Sequence, residues 1–311
     1  MLAAKPATTS ADASTAASET LPIAIPSPLT TAQRSQIINL VRRAARAEIL
    51  PRFRSLDRAE VGEKSGPLDV VTDADRDAEK MIVRGLLRLF PNAHIVGEES
   101  ATEESIAGLA EAEMGFAIDP VDGTWNFAHG LSTFGLMLAM TRFGAPVFGL
   151  IYDPITDEVM IADETGPAEI NLRRGMTRRV NVSGGGNIEN LSGYVPFSSL
   201  PTDQLAEIGA IMPRFRQLMS LKCAAHEFRM VAQGYVDFIL CTNLSPWDHA
   251  AGSLIIRQAG GHVAMLDGSE YRANFRSGYL LCASDEATWG RVRDAMSFLL
   301  EPQSSDDADA S

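Results

Sequence analysis

The chain has 311 residues, of which 45% are hydrophobic and 22% charged, so it is long enough to bury a sizeable core in one large domain or two. Its formal net charge of −13 argues against a nucleic-acid partner, because such binding normally uses a basic surface. A small anionic substrate stays compatible with this charge if carboxylates of the chain hold divalent cations that reverse the local field. No apolar run approaches the roughly eighteen residues of a membrane span, so no membrane partner is predicted.

The cysteine content points to a reducing compartment. The three cysteines, Cys223, Cys241 and Cys282, are an odd number in apolar surroundings and form no C-x-x-C pair. They are interpreted as reduced core thiols, which predicts a cytoplasmic location.

The two ends of the chain differ in composition from its middle. Residues 1–30 are rich in Ala, Ser, Thr and Pro, which predicts a disordered tail, and residues 301–311 predict a short acidic tail. The stretch Gly184-Gly185-Gly186-Asn187 marks a predicted boundary. We therefore expect an N-terminal α+β domain over 31–186 and a C-terminal α/β domain over 187–300.

Hydrophobic periodicity predicts helices alternating with strands. A long amphipathic helix is expected from Thr31 until Pro51 ends or kinks it. Further helices are predicted over 75–90, 203–212, 224–233, 247–258 and 286–300, and strands over 94–97, 115–118, 133–142, 147–152, 158–162, 192–195, 238–241, 262–266 and 279–283. Gly144, Pro146 and Pro154 separate the strands of the first half, which predicts antiparallel hairpins there.

Two carboxylates, Asp119 and Asp122, stand three residues apart directly after the predicted strand 115–118. A helix that starts after Asp122 would direct both carboxylates and the Val121 carbonyl into one small volume, a set of hard oxygen donors suited to Mg²⁺. Gly123 would let a phosphate approach the backbone, and the N–H groups of the following helix would hold its oxygens. Taken alone, this segment is equally typical of an Asp-Pro turn followed by an Asp helix cap.

Two further carboxylates follow predicted element ends. Glu98 comes after the strand 94–97, and Asp248 opens an apolar helix after Pro246 and Trp247. Each is typical, by itself, of a solvated loop or a helix cap. Together with Asp119 and Asp122 they indicate a site for more than one metal ion. His249 is interpreted as a packed or substrate-adjacent imidazole.

These motifs together resemble the inositol monophosphatase family of lithium-sensitive, magnesium-dependent sugar phosphatases. The matching stretches are Gly97-Glu98-Glu99-Ser100, Asp119-Pro120-Val121-Asp122-Gly123-Thr124 and Trp247-Asp248, with a weaker match over Lys64 to Asp75. The resemblance extends from about residue 33 to 300. It implies an α/β (α+β) fold, a layered α/β/α/β/α sandwich, in which the domain over 187–300 completes the active site.

The resemblance also implies a division of the metal ligands, with two to three Mg²⁺ ions per active site. Glu98, Asp119 and the Val121 carbonyl would hold the first ion, Asp119, Asp122 and Asp248 the second, and Glu98 with Asp75 a third, weaker ion or its waters. Thr124 would hydrogen-bond Asp75, and this pair, with Glu98, would make up the catalytic set that orients or deprotonates the attacking water.

The substrate would contact Asp122, Gly123, Thr124 and Asp248 by the same resemblance. Lys64 would belong to a mobile loop that attracts phosphate, although a surface charge is the simpler interpretation. Cys241 stands seven residues before Asp248, where animal inositol enzymes place a glutamate that holds inositol hydroxyls. Trp125 replaces a small hydroxyl residue that many members carry after the threonine, and it is expected to reshape the edge of the site.

The predicted function is therefore a Mg²⁺-dependent phosphomonoesterase that hydrolyses a small phosphorylated metabolite, an inositol or sugar phosphate, without a covalent intermediate. Histidinol-phosphate phosphatase and 3′-phosphonucleotide phosphatase are alternatives within the family. A non-catalytic metal- or phosphate-binding regulatory protein is the alternative from a different class. The resemblance also implies lithium sensitivity and a homodimer.

Overall fold

The computed structural model describes residues 28–55, 61–66, 69–172 and 175–301. The predicted tails, residues 1–30 and 301–311, lie almost wholly outside the described residues, as does the side chain of Lys64. Among the helices of the described ranges, none combines the length and apolar character needed to cross a bilayer.

The described helices and strands follow the predicted alternation. The helices are α1 (Thr31–Ala44), α2 (Asp73–Leu89), α3 (Glu103–Gly108), α4 (Thr124–Ala128), α5 (Thr202–Ile211), α6 (Ala224–Ala232), α7 (Pro246–Gln258) and α8 (Glu286–Ala295). The strands are β1 (Val61–Gly66), β2 (Asp69–Thr72), β3 (His94–Gly97), β4 (Gly115–Asp122), β5 (Gly135–Arg142), β6 (Ala145–Asp153), β7 (Glu158–Asp163), β8 (Glu169–Asn171), β9 (Thr177–Arg179), β10 (Ser192–Tyr194), β11 (Gln217–Met219), β12 (Phe238–Cys241), β13 (His262–Met265) and β14 (Leu280–Ala283).

Several elements depart from the prediction: β4 extends past residue 118 to Asp122, and α3, β1, β2, β8, β9 and β11 were not predicted. The helix predicted from Asp75 begins at Asp73, because Thr72 precedes it as the N-cap and its backbone N–H donates to the Asp75 carboxylate. The helix predicted over 286–300 stops at Ala295, and a 3₁₀ turn over Ser297–Leu300 follows. The first helix continues past Ala44 as a π-helical turn over Ala45–Ile49, just before Pro51.

The strands form a large sheet, a smaller sheet and the β1–β2 hairpin. The large sheet has the order β3-β4-β5-β6-β7-β8-β9, in which only β3 and β4 run parallel. The hairpins expected in the first half are therefore confirmed. The smaller sheet has the order β11-β10-β12-β14-β13, with β10 parallel to both of its neighbours.

Alternation along the strands assigns each side of a sheet to a different core. In β5, Leu136 and Leu138 pack with α1 and α2, whereas Met137 and Ala139 pack with α6 and α7. The smaller sheet does the same, because Ile239 faces the middle layer while its neighbours pack against α5 and α8. Both sheets are thus covered on both faces, and the layered α/β/α/β/α arrangement is confirmed.

The middle layer joins the two halves of the chain. Helix α7 packs across the large sheet. The hydrophobic core between them contains Met137 and Ile151 from the first half of the chain and Phe228 and Ile255 from the second. The division into domains at 186/187 stays a prediction.

A glycine in β6 sets the distance between the large sheet and α7. A Cβ on Gly149 would lie 2.6 Å from the carbonyl oxygen of Ala251. We expect Gly149→Ala to lower the free energy of unfolding by about 1–3 kcal/mol, because the backbone of α7 would have to move. Gly209→Ala on α5, where no atom lies within 4 Å of the added Cβ, should instead raise it by about 0.5–1 kcal/mol. Urea unfolding measures both variants, and equal stability of Gly149→Ala and wild type would contradict this account of the interface.

Candidate active site

The candidate site lies where three elements end or begin. Strands β3 and β4 are parallel neighbours, so their carboxyl ends meet at one edge of the large sheet. Glu98 opens the 3₁₀ turn after β3, and β4 ends at Asp122. Helix α7 enters from the middle layer with Asp248 in its first turn. The carboxylates of distant segments are therefore brought to one place.

Three of these carboxylates form a compact cluster. One oxygen each of Asp119, Asp122 and Asp248 lies within 4.8 Å of the other two. Asp119 and Asp122 are buried, with 2% and 8% of their surfaces exposed. Glu98 lines the same cavity, which has a volume of about 320 Å³.

The electrostatics of the cluster favour a bound cation. Burial raises the pKa of Asp119 well above its ordinary value, and the neighbouring charges of Glu98, Asp122 and Asp248 raise it further. Burial also raises the pKa of Asp122, although hydrogen bonds from Ala225 and Cys223 oppose this. Several buried, mutually repelling carboxylates form a hard anionic donor set, and this set fits Mg²⁺.

Asp75 and Thr124 meet beside this cluster, as expected. The Thr124 hydroxyl lies 3.4 Å from Asp75 Oδ1 and 2.9 Å from the Val121 carbonyl oxygen, with hydrogen-bond geometry to both. The other oxygen of Asp75 accepts hydrogen bonds from the backbone and hydroxyl of Thr72 at 2.9 and 2.5 Å. Burial raises the pKa of Asp75 to about 7, with Thr72 lowering it and Glu98 raising it. The pair is thus fixed in position between α2 and α4.

Gly123 occupies the turn between β4 and α4. Its φ of +84° lies in the left-handed region that favours glycine. A Cβ at this position would lie 3.0 Å from the carbonyl oxygen of Thr133 and 3.1 Å from Cys223 Cβ. Both the backbone conformation and the packing therefore favour glycine at this position, which lines the cavity.

The cavity is also lined by residues at which the sequence differs from the pattern of the family that it resembles. Cys241 ends β12 and lines the cavity, and Trp125 lines its edge. The Lys222 ammonium lies 4.6 Å from the centroid of the Trp125 ring. His249 lines the cavity too, where burial lowers its pKa to about 4, so the imidazole is neutral near pH 7.

Comparison with known proteins decides the family. A model described as the inositol monophosphatase family matches residues 30–297. The chain belongs to this family.

Similar relatives carry two kinds of name. The chain is 33% identical over 217 residues to the fructose-1,6-bisphosphatase/inositol-1-monophosphatase of Thermotoga maritima, covering 68% of this chain and 78% of the relative. It is also 33% identical over 246 residues to the Nus factor SuhB of Pseudomonas aeruginosa, covering 75% and 86%. The solved structure of a Thermotoga maritima IMPase superposes with a TM-score of 0.72 at 28% identity, covering 86% and 98%. Family membership supports phosphatase activity, and the relatives' names leave the substrate open.

This inositol monophosphatase family member holds Asp122 with contacts that sequence patterns did not reveal. Asp122 Oδ2 accepts hydrogen bonds from the Ala225 backbone N–H at 2.5 Å and from the Cys223 thiol at 3.0 Å. Both donors lie at the start of α6, about a hundred positions away, and the N-terminus of a helix favours a carboxylate. No local sequence signal identified the two donors.

Glu227 is a second residue that sequence reasoning missed. Its carboxylate accepts a hydrogen bond from the Leu221 backbone N–H at 2.6 Å and one from the Ser220 hydroxyl at 3.2 Å. It thereby stabilises the turn into α6, in which Lys222 has a φ of +53°. Burial raises the pKa of Glu227 to about 7, while the hydrogen bond from Leu221 lowers it.

Proposed function

We propose that this chain is a Mg²⁺-dependent phosphomonoesterase that hydrolyses a small phosphate monoester, such as an inositol or sugar phosphate. The observation that carries the proposal is the convergence of the Asp119, Asp122 and Asp248 carboxylates with Thr124 in one cavity, where the Thr124 hydroxyl contacts the buried Asp75 behind it. A binding protein would need the carboxylates alone. A hydrolase also needs a positioned hydroxyl and carboxylate for water.

The proposed division of the metal ligands rests on the family resemblance. Glu98, Asp119 and the Val121 carbonyl would hold one ion, Asp119, Asp122 and Asp248 another, and Glu98 with Asp75 a third, weaker one. Mg²⁺ bound in this way would lower the pKa of a coordinated water and neutralise charge on the phosphate and the leaving oxygen. Cys223 and Ala225 would keep Asp122 in position by occupying one of its oxygens.

The remaining steps belong to the chain's own groups. Thr124 would orient the attacking water by accepting its hydrogen bond, and Asp75 would take up the proton through the Thr124 hydroxyl. Gly123 would let the phosphate oxygens approach the backbone N–H groups. The water oxygen would form its bond to phosphorus as the bond from phosphorus to the ester oxygen breaks, and the ester oxygen would leave as an alcohol with a proton from solvent, so no protein nucleophile is required.

The departure at Cys241 bears on the substrate class. Cys241 offers no carboxylate to inositol hydroxyls, so a histidinol phosphate or a 3′-phosphorylated nucleotide is the alternative within the family. Phosphate release from inositol 1-phosphate, fructose 1,6-bisphosphate, histidinol phosphate and a 3′-phosphonucleotide tests the proposal. We expect turnover of at least one ester with Mg²⁺ and none after chelation. No phosphate release from any of the four esters at saturating Mg²⁺ would favour the non-catalytic alternative, which the name of the Nus factor relatives keeps open.

Of three finer properties, the first two rest on the family resemblance and the third, the location, rests on the interpretation of the cysteines as reduced thiols. We infer inhibition by lithium in the millimolar range, a homodimer and a cytoplasmic location. Lithium titration of phosphate release and sedimentation of the purified protein check the first two.

Thr124→Ala should separate metal binding from water activation. We expect the affinity for Mg²⁺ to change little, because the hydroxyl is not among the proposed ligands, while kcat falls by about 10²-fold or more. Thr202→Ala on the exposed start of α5 is the matched control and should leave kcat unchanged. Calorimetric Mg²⁺ titration and steady-state kinetics give the two values, and an unchanged kcat for Thr124→Ala would refute its assigned role.

A further inference from the structure

A groove between α1 and α2 has a different character from the acidic cavity. The two helices approach closely because α2 carries Gly85, where a Cβ would clash with Leu40 of α1. Beside this contact lies a cavity of about 550 Å³, a size within the usual range of small-ligand sites. We call it the arginine groove, after Arg42, Arg43, Arg46 and Arg88, which line it.

The groove concentrates positive charge on an acidic protein. Four guanidinium groups line it and, among the described residues, no carboxylate does, although the chain has 40 acidic and 27 basic residues. Asp157, outside the groove, binds Arg42 Nε at 2.8 Å and lies 3.5 Å from Arg46 Nη2. Arg43 and Arg88 are exposed, and the described ranges show no ion pair for either.

The helix dipole explains part of this arrangement. Arg88 lies in the last turn of α2, where a cation contributes about 0.3–1 kcal/mol, whereas Arg42 and Arg43 stand before the π-helical turn that continues α1. Like charges three and four positions apart repel, however, and Arg46 stands in this relation to both Arg42 and Arg43. One carboxylate at the rim does not balance four guanidinium groups, so an external anion would relieve the repulsion.

We propose that the arginine groove binds a small anion carrying two or more phosphate groups, at a site separate from the candidate active site. Guanidinium groups match phosphate oxygens with paired, charge-assisted hydrogen bonds. The side-chain amides of Gln36 and Asn39 line the groove and supply neutral donors. None of the groove residues lines the acidic cavity, and Asp75 and Arg88 stand at opposite ends of α2, about 20 Å apart.

Inorganic pyrophosphate is the probe, titrated calorimetrically into the full chain stripped of metal in chelator-free buffer. Under these conditions the acidic cavity repels anions, so binding reports the groove alone and is independent of the proposed hydrolase activity. We expect one site per chain, with an affinity that falls as salt is added. The Arg43→Gln/Arg88→Gln double variant should bind at least about tenfold more weakly, because two charge-assisted contacts are lost.

The control is Arg214→Gln/Arg216→Gln, which removes two exposed arginines outside the groove. It should bind pyrophosphate like wild type. All substituted side chains are exposed, so thermal unfolding should show that both double variants remain folded. Absence of binding to wild type, or equal weakening by the two double variants, would overturn the proposal.

Discussion

Asp119→Asn should abolish phosphate release and, in the absence of metal, make the protein more stable. The loss of activity would follow because two of the proposed metal positions share Asp119, and the bound ions would supply several kcal/mol of stabilisation to the transition state. A fall in kcat/KM of at least about 10³-fold is expected. Asp294→Asn, an exposed site on α8, should keep full activity.

The gain in stability has a separate cause. Burial and four neighbouring carboxylates raise the pKa of Asp119, so its charged form is disfavoured in the folded, metal-free chain. A carboxyl whose pKa is raised on folding destabilises the protein at pH values above its unfolded pKa. Replacement by a neutral amide should therefore raise the free energy of unfolding near pH 7 by about 1 kcal/mol or more. The amide oxygen can still accept the hydrogen bond from the Val121 backbone N–H, which measures 2.9 Å in the structure.

Thermal unfolding with and without Mg²⁺ measures this effect. The unfolding temperature of wild type should rise when Mg²⁺ is added. That of Asp119→Asn should be higher than wild type without Mg²⁺ and should rise little when Mg²⁺ is added. Turnover near wild type, or an undiminished Mg²⁺ effect in the variant, would show that Asp119 does not hold the metal.

Arg229→Met should be among the most destabilising substitutions in the chain. Arg229 projects from α6 and donates to Asp153 Oδ2 at 2.8 Å and to Glu158 Oε2 at 2.6 Å. Arg229 and Asp153 have only 7% of their side chains exposed. Removing one partner of a buried ion pair leaves an uncompensated charge, so we expect a loss of about 3–5 kcal/mol. Arg272→Met, which breaks the exposed pair with Glu270, should cost less than about 1 kcal/mol.

The pH dependence of the Arg229→Met defect identifies its electrostatic origin. Burial alone would raise the pKa of Asp153, but the charge and hydrogen bond of Arg229 lower it. Asp153 therefore stabilises the wild type above its unfolded pKa, and that contribution is lost as the pH falls through its lower folded value. In the variant the pKa of Asp153 rises, so its carboxyl is protonated at a higher pH than in wild type. The difference in free energy of unfolding between variant and wild type should therefore shrink on acidification.

Urea unfolding at pH 7 and pH 5 tests this prediction. A deficit of similar size at both values would point to lost packing instead of an unpaired charge.

The parts of the fold that could be predicted are those with a clear local pattern in the sequence. The apolar run 115–118 leads into two acidic residues, and β4 does deliver Asp119 and Asp122 at its carboxyl end. The β1–β2 hairpin was missed because Val61–Gly66 contains Gly, Glu, Lys and Ser and lacks the alternation typical of a strand. The pairing of β1 with β2 in the hairpin could not be predicted from the composition of either segment.

The candidate site shows the same division. Asp75, Asp119, Asp122, Thr124 and Asp248 were proposed from motifs, and the structure brings them together. The contact from the backbone N–H of Ala225 could not be predicted from the sequence, because nearly every residue type has that group. Only the packing of α6 directs it at Asp122. Arg229 was equally hidden, since its two acidic partners lie on β6 and β7, more than seventy positions away.

The most direct test of the metal site is an anomalous difference map from crystals grown with Mn²⁺ in place of Mg²⁺. The account predicts peaks between the carboxylates of Asp119, Asp122 and Asp248 that disappear in Asp119→Asn crystals. A protein that releases phosphate with Mn²⁺ yet shows no peak among these three side chains would contradict it.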